Sequence, residues 1–237
     1  MDTELRQLAD EARERSMTYS FLARALADEE IPLSFLDSLS SMELETGTEL
    51  DAFACGLAEM DADGREQQRK ELAADHASSL LGMSVDPVSP YEAVHTGEKR
   101  LMMQEARDKV VAAYRQQGFG ASQDLRVPED HISLELSFMA ALCERFAATV
   151  EAHANTDDQV QGDVEGQGAV EGTSLSAEAQ ELMQAQAAFV SDHLVPWVPG
   201  FCDELEDHAT TPFYRGVAQM LRLFVEDEAA SLSPQEG

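Results

Sequence analysis

The chain has 237 residues and a formal net charge of −30, because 46 Asp and Glu residues outnumber 16 Lys and Arg residues. Hydrophobic residues make up 43% of the chain, which is typical of a folded protein and too apolar for a disordered one. The charge argues against nucleic acid and against an anionic membrane surface as partners, since both are bound through clustered Lys and Arg. A cationic partner, or a partner without charge, remains.

The start of the chain and the cysteines indicate a cytoplasmic protein. No basic region followed by an apolar stretch opens the chain, so no secretory signal peptide is predicted. No apolar run approaches the ~20 residues of a membrane-spanning helix, so no stable membrane insertion is expected. Cys55, Cys143 and Cys202 are widely spaced and form no CxxC pair, which predicts buried, reduced thiols. Most acidic residues are expected to be solvated, and adaptation to a salt-rich cytoplasm would also explain their number.

In the first half of the chain, apolar residues recur at helical spacing. The first helix is predicted over residues 5–26 and ends before Pro32, which cannot continue a helix. A short second helix follows at 50–60 and a third at 65–81. Residues 82–97 then form a long loop whose apolar composition is not that of a disordered segment, and ordered loops of this length are usually functional.

The second half is predicted to be helical on both sides of one flexible segment. A fourth helix covers 101–114, and Pro128 opens a fifth. Residues 152–176 are rich in Gly, Gln and acidic residues without an apolar period, which predicts a flexible loop. Further helices are expected at 182–194, around 201–205 and from Thr211-Pro212 to Val225. Residues 1–237 thus predict one all-α domain, a bundle of about eight to nine helices without strands.

The predicted helix start at Pro128 contains more polar and ionisable residues than a helix start requires. Proline followed by acidic residues is the usual beginning of a helix, so Pro128, Glu129 and Asp130 have a structural explanation. His131 has none. An imidazole beside a carboxylate, one turn before Glu135, would form either a hydrogen-bonded triad or half of a metal site.

The metal interpretation gives an alternative function. Glu92 and His95 fit an E-x-x-H motif, and His131 and Glu135 are four residues apart. A ferritin-like di-iron site needs two E-x-x-H motifs and two further Glu residues, and only one motif is present, so no metal or cofactor is expected. Phosphate-loop, dinucleotide-binding and nucleophile-elbow motifs are absent as well. The alternatives kept are a small all-α metal protein or hydrolase using these four residues, and an acidic scaffold without a defined groove.

Five motifs in a fixed order resemble the TorD/DmsD family of chaperones. The most specific is P-x-D-H-x-x-x-E-L-x-F-M at residues 128–139. The other four are Pro90-Tyr91-Glu92-Ala93-Val94, Leu101-Met102-Met103-Gln104-Glu105, the stretch 193–201 around Pro196-Trp197-Val198-Pro199, and the stretch 212–218.

The resemblance implies an all-α, non-catalytic, cytoplasmic chaperone. Such proteins bind the twin-arginine signal peptide of a molybdenum-containing reductase, hold the apo-enzyme back from export, and assist insertion of its molybdopterin cofactor. Whether the chain is a monomer or a homodimer stays open. In the family, peptide binding is ascribed to positions that fall here on Leu80, Leu81, Pro90, Tyr91, Glu92, Asp130 and His131.

The physical requirements of such a peptide agree with these positions. An arginine pair followed by an apolar segment calls for an apolar groove with carboxylates at one end. The groove is predicted over Leu80, Leu81, Pro90, Tyr91 and Leu134. The guanidinium groups are expected at Asp130, Glu92 or Glu129, with Pro128, His131 and Glu135 completing the site.

Overall fold

The computed structural model describes residues 3–27, 31–120, 127–161 and 175–232. These residues form ten α-helices and one π-helical turn, Val190–Leu194. The α-helices are α1 Thr3–Ala27, α2 Leu33–Ser40, α3 Glu49–Glu59, α4 Ala62–Ser79, α5 Glu92–Thr96, α6 Glu105–Gln116, α7 Ile132–Gln161, α8 Ala177–Phe189, α9 Val198–His208 and α10 Pro212–Leu232. The predicted all-α fold is confirmed. None of the described helices is long and apolar enough to cross a membrane.

The core is built around α1 and α7, which pack along each other. The α1 stripe that the sequence predicts is buried, with Leu22 and Leu26 at most 1% exposed. The hydroxyl of Ser16 donates to the carbonyl of Ala140 over 2.9 Å and fixes the register of the two helices.

Helix α10 packs against α9 and α3 and closes the other side of the bundle. Gly216 makes the close approach to α3 possible, since a Cβ at this position would lie 2.4 Å from the backbone nitrogen of Leu50. Two buried carboxylates tie α10 to other helices. Glu228 accepts hydrogen bonds from Arg15 and Tyr19 of α1, and Asp75 of α4 accepts from Thr210 and Thr211, where α10 begins.

Several predicted boundaries were wrong for local reasons. The fourth helix begins at Glu105 rather than at residue 101, because Arg100 and Met103 have φ values of 49° and 59°, outside the helical region. The fifth begins at Ile132 rather than Pro128, because the residues between them form a turn. Two short helices, α2 and α5, were not predicted. The predicted helix 182–194 is α-helical only to Phe189 and ends in the π-helical turn.

The predicted loop at 152–176 also differs from the structure where it is described. Helix α7 continues through Gln161, so the first ten residues of the predicted loop are helical. Residues 152–161 contain neither glycine nor proline, and polar composition alone does not end a helix. Residues 162–174 lie outside the described residues, and Leu175 and Ser176 are non-helical, with Ser176 capping α8. Of the three cysteines, Cys143 and Cys202 are buried as predicted, whereas Cys55 is exposed.

Candidate functional site

A two-residue antiparallel bridge joins the two segments that the sequence singles out. Tyr91 pairs with His131 through hydrogen bonds from Glu92 N to Asp130 O (3.0 Å) and from Ile132 N to Pro90 O (2.9 Å). Tyr91 is the residue before α5 and His131 is the residue before α7. The bridge therefore fixes the N-termini of these two helices side by side.

Asp130 caps α5 across the bridge. Its Oδ2 accepts a hydrogen bond from the backbone nitrogen of Ala93 over 3.0 Å, which satisfies a donor in the first turn of that helix. Its Oδ1 is buried and has no hydrogen-bond partner among the described residues. Burial raises the pKa of Asp130 above its ordinary range, and the nearby Glu92 carboxylate adds to the rise.

His131 does not form the predicted triad with Asp130 and Glu135. Its Nδ1 lies 2.8 Å from Ser133 Oγ and 3.2 Å from Ser133 N, so the imidazole caps the first turn of α7. The ring also meets Tyr91 edge-on, with the ring centroids 5.1 Å apart. Burial lowers the pKa of His131 to about 4, with His76 contributing, so the side chain is neutral at neutral pH.

Two further buried carboxyls, Glu92 and Glu135, complete the site. Neither oxygen of Glu135 has a hydrogen bond of standard length in the described part of the chain, although the Trp197 indole N–H is near enough to oppose the rise of its pKa. Burial raises the pKa of Glu135 well above its ordinary range, and the carboxylates of Glu92 and Asp130 raise it further. Glu92 Oε2 lies 3.1 Å from Nδ1 of His193, which belongs to the π-helical turn. We refer to Glu92, Asp130, His131, Glu135 and His193 as the bridge cluster.

Glu129 differs from its neighbour because its charge is already paired. Arg107 of α6 holds it with two hydrogen bonds, from Nε (2.7 Å) and Nη2 (2.9 Å). This guanidinium lowers the pKa of Glu129. The hydroxyl of Tyr114 donates to the Glu129 carbonyl over 3.1 Å, so α6 supports the turn that carries Asp130. A peptide arginine at Glu129 would therefore meet a carboxylate whose charge Arg107 already balances.

The residues of the predicted apolar groove differ in accessibility. Leu81 is 48% exposed, whereas Tyr91, Leu134 and Pro128 are half-buried. Leu80 and Pro90 are buried. The predicted site residues at 90–92 and 128–135 therefore lie at the bridge or in the helical turns next to it, where the accessible surface is the outer edge of the half-buried side chains, and Leu81 is exposed just after the end of α4.

Two residues of this site escaped the sequence prediction. His193 is 7% exposed and faces Glu92. Trp197 stacks on His95 with ring centroids 5.2 Å apart, and its buried Nε1–H, which opposes the rise in the pKa of Glu135, makes no hydrogen bond of standard length within the described ranges. The signal was present in the 193–201 motif, since Pro196 and Pro199 interrupt the helical pattern next to both residues. π-helical turns often occur at functional sites.

Comparison with known proteins identifies the family of this chain. The family model described as nitrate reductase delta subunit matches residues 43–203, which is more than half of the chain. The chain belongs to this family, the family of the TorD chaperones. Three relatives, each named Chaperone protein TorD, are similar over most of their length. They come from Photobacterium profundum (26% identity, 92% of this chain and 91% of the relative), Vibrio parahaemolyticus (26%, 84% and 89%) and Vibrio vulnificus strain CMCP6 (25%, 86% and 86%).

TorD-family membership decides between the function classes left open by the sequence. The protein is a redox-enzyme maturation chaperone and not an enzyme, because its family and its named relatives are chaperones. The metal alternative is not favoured. His95 Nε2 lies 2.7 Å from the Ser89 carbonyl and His131 faces Ser133, so the two imidazoles have separate partners. Within the described ranges, His, Cys, Asp and Glu side chains form no group of three that could hold a metal ion.

Proposed function

We propose that this TorD-family protein binds the twin-arginine signal peptide of a molybdenum-containing oxidoreductase at the bridge cluster. In this role it acts in the cytoplasm, delays export of the apo-enzyme, and assists its folding and cofactor insertion. Family membership supports the chaperone class and a molybdoenzyme as the partner. The position of buried acidic groups supports the peptide site.

The observation that carries the proposal is the set of buried carboxyl oxygens without hydrogen bonds. Asp130 Oδ1 has no donor among the described residues, and Glu135 has only the Trp197 indole N–H near it, without a hydrogen bond of standard length. Buried polar atoms are nearly always hydrogen-bonded, and each exception is costly. A guanidinium presents five N–H donors in a planar fork, so one peptide arginine would supply both the missing donors and the missing charge.

Access requires a local opening, and the structure offers a weak point for it. The segments that carry Asp130 and Glu92 are held together at the bridge by two backbone hydrogen bonds. Each contributes a net ~1 kcal/mol, and opening also breaks the Asp130–Ala93 hydrogen bond, so separating Tyr91 from His131 costs about 3 kcal/mol in hydrogen bonds, less than unfolding of the chain. An extended peptide replaces these bonds with its own backbone groups, as in binding by strand addition.

The test is the affinity of the full-length protein for a labelled synthetic peptide. The peptide carries Arg-Arg followed by ten Leu and Ala residues, and a second peptide carries Lys-Lys instead. Asp130→Asn keeps an acceptor for Ala93 N but removes the charge, and we expect it to weaken Arg-Arg peptide binding about tenfold or more, the loss of one charged hydrogen bond. His131→Ala, which removes the cap of α7 at the bridge, is expected to weaken binding as well.

Glu144→Gln is the matched control, because Glu144 is exposed on the same helix α7. It removes one negative charge and is expected to leave peptide affinity unchanged. Circular dichroism is expected to show the same helicity in all three variants. Unaltered affinity in both Asp130→Asn and His131→Ala would disprove the assigned site.

The partner itself is identified by affinity capture from the native host followed by mass spectrometry. We expect a molybdoenzyme that still carries its twin-arginine leader. Recovery of the same enzyme without its leader would contradict binding through the signal peptide.

A further inference from the structure

The bridge cluster buries three carboxyl groups that form no ion pair with a Lys or Arg residue of the described chain. Glu92 is 3% exposed, and Asp130 and Glu135 are fully buried. Arg107 acts on Asp130 through its charge, but it directs two hydrogen bonds to Glu129. Carboxylates that are buried together repel one another and lose their hydration, so such a group is more stable when one member keeps its proton.

Glu135 is the member that keeps the proton. Asp130 accepts a hydrogen bond from a backbone nitrogen and Glu92 faces His193, whereas Glu135 receives no hydrogen bond of standard length from the described residues. Burial raises the pKa of Glu135 well above its ordinary range, and Glu92 raises it further, through its charge and as an acceptor for the Glu135 proton. The free protein therefore holds a protonated Glu135 at pH values where an ordinary glutamate is ionised.

The titratable side chains around Glu135 come from four parts of the fold. They are Glu92 of α5, Tyr114 of α6, Asp130 and His131 before α7, and His193 of the π-helical turn. Burial lowers the pKa of His131 to about 4 and raises the pKa of Tyr114 well above its ordinary range, so both are uncharged at neutral pH. His193 directs its Nδ1 to Glu92. The described surroundings therefore direct no cation at Glu135.

An arginine that enters the cluster reverses the preference of Glu135. A nearby positive charge favours the ionised form of a carboxyl group, and charge-assisted hydrogen bonds are about twice as strong as neutral ones. The Trp197 indole N–H, a neutral donor, already favours the ionised form of Glu135. A guanidinium and a proton therefore compete for the same carboxyl oxygens.

A cleft between α6 and α8 connects the cluster with solvent at His193. The cleft has a volume of about 260 Å³, and Asp192 and His193 line it together with side chains of both helices. His193 Nδ1 lies 3.1 Å from Glu92 Oε2, and an imidazole can pass a proton between a carboxyl group and water. A proton that leaves the cluster thus has an exit that does not depend on opening of the bridge.

We infer that the bridge cluster exchanges a proton for an arginine of the leader, and that Glu135 is the residue that releases it. The inference rests on the proposed function and adds the regulation of the same site. As the guanidinium binds, the O–H bond of Glu135 breaks, the proton passes to water, and the carboxylate accepts hydrogen bonds from the guanidinium. Capture of the leader therefore strengthens as the pH rises and weakens on acidification.

The first test is the affinity of the full-length protein for the labelled Arg-Arg peptide at pH 5, 6 and 7. Because the free wild type binds one proton more than its complex, its affinity is expected to rise with pH, whereas Glu135→Gln has no such proton to lose. We expect the ratio of wild-type to Glu135→Gln affinity to grow by up to about tenfold per pH unit until the raised pKa of Glu135 is reached. Glu144→Gln, at an exposed position of the same helix, is the control, and its ratio to the wild type is expected to stay constant.

The second test is titration calorimetry at pH 6 in phosphate and in Tris, two buffers that take up a proton with very different heats. A released proton makes the binding enthalpy of the wild type differ between the buffers, and we expect a smaller difference in Glu135→Gln. Equal wild-type enthalpies in the two buffers, or the same difference in both proteins, would overturn this inference. The proposed function would still stand if Asp130→Asn weakened binding. Failure of the wild type to bind the Arg-Arg peptide at any of these pH values would overturn both.

Discussion

Two regions of the molecule bury carboxyl groups, and they differ in the hydrogen bonds that these groups receive. In the first, which we call the α1–α10 clamp (Arg15, Tyr19 and Glu228), Glu228 receives hydrogen bonds of 2.6, 2.6 and 2.7 Å from a guanidinium and a phenol. In the bridge cluster, Glu135 is equally buried and receives no hydrogen bond of comparable length from the described residues. Asp130 lies between these cases, with one oxygen satisfied and one not.

The difference shows which buried charges serve the fold. A carboxylate that is fully paired ties two helices together, and removing one partner leaves an uncompensated charge. Asp75 acts in the same manner at the start of α10. A buried carboxyl without donors stabilises nothing in the free protein. Sites that break the rule of full pairing are expected to be functional, which is consistent with a binding role for the bridge cluster.

The largest loss of stability is expected from breaking the clamp. Glu228→Ala leaves the Arg15 guanidinium and the Tyr19 hydroxyl without their acceptor, and we expect it to lower the free energy of unfolding by about 3 kcal/mol. Urea denaturation of the full-length protein measures the loss. Glu226→Ala, at an exposed position on the same helix, is expected to change it by less than ~0.5 kcal/mol. Similar losses in both variants would show that the contacts of Glu228 with Arg15 and Tyr19 add no particular stability.

An effect of opposite sign, which grows with pH, is expected at Glu135. A carboxyl whose pKa is raised by folding binds a proton more tightly when folded, so its contribution to stability falls as the pH rises above the unfolded value of about 4.3. Glu135→Gln cannot lose this proton. We therefore expect the variant to gain stability relative to the wild type as the pH rises, by up to about 1.4 kcal/mol per pH unit until the folded pKa is reached.

Urea denaturation of both proteins between pH 4 and pH 7 measures this gain. Glu144→Gln, at an exposed position of α7, is expected to differ from the wild type by a constant amount over the same range. A constant difference for Glu135→Gln as well would mean that Glu135 ionises normally in the folded protein.

The smallest effect is expected where a carboxylate is paired but partly exposed. Arg107→Gln removes both hydrogen bonds to Glu129, and we expect a loss of less than ~1 kcal/mol, because solvent screens such pairs. Since Arg107 lowers the pKa of Glu129, the loss is present at neutral pH and disappears as the pH falls through the range in which Glu129 takes up a proton. Thermal unfolding at pH 7 and pH 3 measures it, with Lys109→Gln as the control on the same helix. A loss of about 3 kcal/mol would instead show that the Arg107–Glu129 pair contributes as much to stability as the α1–α10 clamp.

The helical architecture was predictable because it is a local property. The buried stripe on α1 and the cap and proline at the start of α10 are readable from spacing and residue type. The short helices α2 and α5 were missed, since eight and five residues give too few turns for a periodic pattern. The start of α7 was misplaced because Pro128 satisfies the local rule for a first helical residue, while the bridge to Tyr91 sets the true start at Ile132.

The candidate site was predictable in its membership and not in its arrangement. The residue types at 90–92 and 128–135 already distinguished Asp130 and His131 from an ordinary helix start. Spacing along the chain placed His131 against Asp130 or Glu135, yet its ring faces Ser133, and Asp130 caps α5 instead. His193 reaches Glu92 from 101 residues away, which no local pattern encodes.

The sequence by itself determined the all-α class, the order of the main helices and the excess of acidic residues. These follow from composition and from periodicity over a few turns. Only the tertiary structure decided which of the acidic residues matter, because pairing depends on neighbours that are distant in sequence. Glu228 meets Arg15 and is neutralised, Glu129 meets Arg107, and Glu135 is buried beside Glu92 and Asp130 with no cation of its own. Identical side chains thus acquire opposite roles through packing alone.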